Sequence, residues 1–90
     1  MVAVSWQLWE SSADDPRALN VHWRTNSAHN FERVEVEETP DGIRVGVFET
    51  VPAGFLTAAG AYRSIQVRLR DQVGGRPVID AVTSRPRARP

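Results

Sequence analysis

Residues 34–47 read VEVEETPDGIRVGV, and their pattern decides the fold. Valine alternates with glutamate from Val34 to Glu37, stops at Thr39-Pro40-Asp41-Gly42, and valine recurs every second residue at Val45 and Val47. A period of two on both sides of a Pro-Asp-Gly break predicts a β-hairpin with one dry face and one wet face. Val34 and Val36 must share a face with Val45 and Val47, because a slip of one residue turns an apolar row into water. Pairing Val36 with Val45 and Val34 with Val47 leaves residues 39–42 as a four-residue loop. In such a loop Pro presets φ and Gly is free to take a positive φ. The same register sets Glu37 opposite Arg44 on the wet face, an exposed pair worth about 0.2–1 kcal/mol. The wet face of the hairpin therefore reads as register and solubility rather than chemistry.

Working outward, the flanking segments alternate in the same way. Residues 2–9 place Val4, Trp6 and Leu8 on one phase and Ser5, Gln7 and Trp9 on the other. Residues 10–17 hold Ser-Ser-Ala-Asp-Asp-Pro, a turn composition. Residues 18–25 form a second strand with Leu19, Val21 and Trp23 inward and Asn20, His22 and Arg24 outward. After the hairpin, residues 52–62 suit a crossover between sheets, with one helical turn at 55–59. Residues 63–71 point Ile65, Val67 and Leu69 inward. Matching Leu69 to Ile79 pairs this strand with residues 77–82 around a Val73-Gly74-Gly75 loop, Gly75 being left-handed in a bulge.

These segments predict an all-β domain over residues 1–83, a small antiparallel β-sandwich of about six strands built from hairpins, with a partly open β-barrel as the alternative. Residues 84–90, Ser-Arg-Pro-Arg-Ala-Arg-Pro, have nothing to bury and read as a disordered Pro/Arg tail.

The stretches RVEVEETPDGIRVGVF and VRLRDQVGGRPVIDA together resemble a group of small uncharacterised β domains from high-GC actinobacteria. The likeness covers roughly residues 18–82 and rests on an acidic strand and turn, a valine-rich strand, a long loop and a Gly-Gly-Arg turn. It implies the all-β fold and transfers no activity and no site. Many members of that group carry a cysteine pair, and the corresponding places near Ala28 and Ala58 lack it. The departure implies a member that stays in a reducing compartment or relies on its apolar core alone.

Bulk composition narrows the functional classes. Eleven acidic residues balance eleven basic ones, all of them arginine, so no global field recruits nucleic acid or an anionic membrane. The chain has no cysteine, which removes disulfides, thiolate catalysis and sulfur-based zinc sites. Neither a signal peptide nor an apolar run of about 20 residues stands out, which favours a soluble, cytoplasmic chain over a secreted or membrane-bound one.

Side chains with chemical potential are few. His22 and His29 lack metal-ligand spacing, and no serine sits in a Gly-x-Ser-x-Gly turn, so neither a metal, a cofactor nor an enzyme is indicated. A small hydrolase with either histidine as base would require a carboxylate about 3 Å from a ring nitrogen. Trp6 and Trp23 share the apolar phase and read as core, whereas Trp9 falls on the polar phase. An exposed Trp9 beside His22 and Arg24 is the expected binding patch. The expectation is a non-enzymatic interaction or scaffolding module, monomer or homodimer, the dimer forming by sheet extension along residues 77–82. The alternative is a carbohydrate- or peptide-binding domain that uses the aromatic patch.

Overall fold

The computed structural model describes residues 1–54 and 59–87. It contains β1 (Val2–Val4), β2 (Leu8–Ser11), β3 (Ala18–Asn26), β4 (Asn30–Thr39), β5 (Gly42–Thr50), β6 (Gly60–Arg68), β7 (Val78–Asp80) and β8 (Arg85–Pro86). No helix lies among the described residues, and the expected helical turn at 55–59 falls almost wholly outside them. The strands form two sheets, a larger one around β5 and a smaller one in the order β2-β3-β6. The domain is all-β, as the alternation predicts.

The β4–β5 hairpin has the expected register, Val36 against Val45, Val34 against Val47 and Glu37 against Arg44. Pairing runs on to Thr39 against Gly42, so the loop tightens to Pro40-Asp41. The Thr39 hydroxyl oxygen accepts from the Gly42 N–H at 3.1 Å and from the Asp41 N–H at 3.3 Å. Gly42 does not use a positive φ. Its lack of a side chain serves a close approach instead, since a Cβ there would stand 3.3 Å from Ile79 Cδ1. Nor does Arg44 pair with Glu37; its guanidinium donates to Ser84 Oγ at 3.1 Å.

β5 is the spine of the molecule. Ile43, Val45, Val47 and Glu49 on its inner face are fully buried. β4 covers one edge of β5, while two short strands share the other, end to end. β1 runs antiparallel against Val47–Glu49 and β7 runs parallel against Ile43–Val45. The antiparallel hairpin expected between residues 63–71 and 77–82 is therefore corrected: β6 pairs with β3 in the smaller sheet, and β7 crosses to the larger one. Parallel neighbours need a long crossover, and here β6 supplies it. In the intervening turn Gly74, not Gly75, is left-handed, with φ +57°.

The first strand also divides. β1 belongs to the larger sheet and β2 to the smaller, with Ser5-Trp6-Gln7 bridging them. Alternation is lost across the bridge, so Trp6 and Trp9, three positions apart, both turn inward. Trp6 is 0% exposed and its indole N–H donates to the Val45 carbonyl at 2.9 Å. Trp6, Trp9, Trp23, Leu19, Val21 and Val67 fill the space between the sheets against the β5 valines.

The reading of 84–90 as a disordered tail is corrected over its described part. β8 pairs with β7, and the Arg87 N–H donates to the Val78 carbonyl at 2.9 Å. The cause is electrostatic. Asp80 is fully buried, and Arg87 Nη2 reaches its carboxylate at 3.2 Å while also donating to Ser5 Oγ at 2.7 Å. A buried carboxylate needs hydrogen-bonding and charged partners, and the folded-back segment supplies one of them.

Candidate functional site

The smaller sheet has one face in the core and one in solvent, and its register shows which residues share the outer side. Leu8 pairs with His22 and His22 with Ser64; Glu10 pairs with Asn20, and Arg24 with Tyr62. Leu8, Glu10, His22, Arg24, Tyr62 and Ser64 therefore project from one surface. Trp9, paired with Val21, projects from the opposite side.

The placement of Trp9 corrects the expected patch. Trp9 is 6% exposed, belongs to the core and donates its indole N–H to the Arg87 carbonyl at 3.1 Å. His22 and Arg24 do lie together on the outer face, and the aromatic ring beside them is Tyr62, 82% exposed. The Arg24 guanidinium carbon sits 5.4 Å from the Tyr62 ring centroid, within cation–π range. The Arg24 backbone N–H donates to Gln7 Oε1 at 2.8 Å, fixing the bridge segment against β3. Gln7, Leu8, His22, Trp23, Arg24 and Tyr62 line a shallow hollow of about 370 Å³.

Tyr62 was legible in principle. The crossover over residues 52–62 makes it the last loop residue, but carrying the outward phase of Ser64, Gln66 and Arg68 two residues back assigns it to the same face.

Both histidines have carboxylate partners. His22 Nε2 lies 3.0 Å from Glu10 Oε1 on the open surface, so the distance condition for a hydrolase is met there. Ser64 stands directly across from His22, yet no hydrogen bond joins them among the described residues. In the second pair the carboxylate is buried and the histidine partly so. His29 Nδ1 lies 3.3 Å from Oε1 of Glu49, which is 0% exposed. The Thr25 hydroxyl donates to that same oxygen. Trp23 Nε1–H donates to Glu49 Oε2 at 3.2 Å, and Arg63 Nη1 approaches it at 3.5 Å. An acyl-transfer triad sets hydroxyl and carboxylate on opposite ring nitrogens, whereas here both meet Nδ1. The arrangement satisfies a desolvated carboxylate and ties β5 to β3 and β6. Among the described residues no group of three or more acidic or histidine side chains is placed to share a metal ion.

Comparison with protein-family models, curated proteins and solved structures returned no match.

A third carboxylate organises the hairpin tip. Glu38 accepts from the backbone N–H of Arg70 at 2.9 Å and of Asp71 at 3.1 Å, and meets Arg76 Nη2 at 3.1 Å. The Arg70 N–H is the main cause that holds its carboxyl below the ordinary glutamate range; desolvation opposes it, and the Asp71 N–H and Arg76 add to it. Arg76 also donates to the carbonyls of Thr39, Asp71, Gln72 and Val73. In the hollow beside this cluster Glu38 and Arg76 are engaged with each other, while the Arg70 side chain remains largely exposed. No helix of the described residues is long and apolar enough to cross a membrane.

Proposed function

We propose that this chain is a non-enzymatic interaction module whose working surface is the outer face of the smaller sheet. The observation that carries the proposal is Tyr62, 82% exposed and stacked by Arg24. Tyrosine and arginine supply much of the energy of protein interfaces, because a stiff ring and a planar cation bury area at low entropic cost. The buried Glu49 and Asp80 centres serve the fold, whereas Arg24 and Tyr62 on this face are open to solvent.

A peptide- or sugar-binding role is the second reading, favoured by the hollow between Gln7, His22 and Tyr62. Amide chemical-shift mapping with a panel of extended peptides and oligosaccharides tests both. The proposal expects perturbations centred on Gln7, His22, Arg24 and Tyr62 that vanish in Tyr62→Ala with the fold intact. Perturbations confined to the Glu38–Arg76 end would contradict it.

A further inference from the structure

Two strands of nine or ten residues, β6 and β4, pair on one side only among the described residues. Their open edges differ. β4 breaks register between Phe31 and Arg33 and carries Glu32, Glu35, Glu37 and Glu38. Bulges and charges of this kind keep an edge from pairing. β6, GAYRSIQVR, has no register break, no proline and no acidic residue.

The phase of the β3 ladder shows what the β6 edge offers. The carbonyls of Ala18 and His22 accept from Ser12 and Gln7, on the β2 side, while the Arg17 carbonyl accepts from Leu69 and the Ser27 N–H donates to Ala59, on the β6 side. Odd-numbered residues of β3 thus turn their peptide groups toward β6, and the odd residues of β6 meet them in register. The N–H and C=O groups of Tyr62, Ser64 and Gln66 therefore point out of the open edge.

We propose that this edge pairs with the same edge of a second copy, antiparallel and centred on Ser64. The inference rests on the interaction-module reading and names the partner. The register follows from the sequence of β6. Centring on Ser64 engages the whole strand and makes Tyr62:Gln66 and Ser64:Ser64 hydrogen-bonded pairs across the two-fold axis. It sets Arg68 opposite Gly60 and Arg63 opposite Ile65, so no two like charges meet. β4 paired with itself about Glu35 sets Glu35 opposite Glu35 and Glu32 opposite Glu38, repulsive pairs. The β6 contact is isologous and closes on itself. It joins two three-stranded sheets into one continuous sheet with both Tyr62 rings on its outer face.

Light scattering of the intact chain and of three Ser64 variants tests this. The wild-type chain should show about twice its 10.0 kDa mass. Ser64→Pro removes an N–H that points into the open edge, where proline is tolerated by the fold, and should yield a monomer with unchanged circular dichroism. Ser64→Glu places two carboxylates across the axis and should also yield a monomer, and it decides the matter if the proline variant fails to fold. Mixing Ser64→Glu with Ser64→Arg should restore the dimer. A wild-type monomer at all concentrations, or a dimer indifferent to Ser64→Glu, overturns the inference. A monomer that still binds ligands through Tyr62 overturns it while leaving the outer-face reading in place.

Discussion

Arg76 Nη2 stands 3.1 Å from Glu38 Oε1, thirty-eight positions earlier in the chain, and the same guanidinium donates to four backbone carbonyls. The contact joins the tip of the β4–β5 hairpin to the Gly-Gly turn that returns the chain to the larger sheet. Only a planar five-donor group reaches all of these acceptors together. Arg76→Ala should destabilise the domain by about 2 kcal/mol, the size expected for a charge-assisted network that is partly open to solvent. Arg76→Lys should recover less than half of that loss, read from urea unfolding midpoints at constant slope.

Glu38 makes this end of the molecule acid-sensitive. Its folded carboxyl titrates below the reference value of 4.5. A depressed carboxylate contributes stability that is fully present above the unfolded value and is lost as pH falls through the folded one. Unfolding midpoints should therefore fall as pH drops from 4.5 toward the folded value of Glu38. In Glu38→Gln that part of the acid dependence should disappear, and the variant should be less stable than wild type at pH 7. An unchanged acid profile in the variant would show that the Arg70 and Asp71 amides do not select the ionised form.

Trp9 belongs to the core, and its removal should show it. Trp9→Ala should cost roughly 3–5 kcal/mol, the range for truncating a buried large ring, and should also free the Arg87 carbonyl that its indole holds. A thermal melt gives the answer. A variant as stable as wild type would return Trp9 to the surface.

The hairpin was legible because strict alternation on both sides of Pro40-Asp41 leaves one register that buries Ile43, Val45 and Val47 together. The inward phase of β3 was legible for the same reason. Trp9 was misread because counting by two assumes an unbroken strand, and Ser5-Trp6-Gln7 moves the chain from one sheet to the other. The partner of β7 was hidden by a local signal. Gly74-Gly75 between two apolar segments looks like a hairpin turn, while the true partner, Ile43–Val45, lies far back in the sequence. The carboxylate centres were illegible from spacing alone. Glu49 meets Arg63 across two sheets, and Asp80 draws in Arg87 and Ser5 from opposite ends of the described chain. The outer face was half legible: His22 and Arg24 were placed on it, and Tyr62 was missed because β6 begins at Gly60, earlier than its apolar run suggests.

The proposed dimer requires that two copies of this chain pair through the open side of β6. Amide hydrogen exchange of the intact chain at low and high concentration tests it most directly, because it reads single backbone groups at the strand edge. The Tyr62, Ser64 and Gln66 amides should exchange freely in dilute solution and become protected together as concentration rises. The Val67 and Ile65 amides, already bonded to β3, should stay protected throughout. Free exchange of Tyr62, Ser64 and Gln66 at every concentration, or protection that appears on β4 instead, would contradict the account.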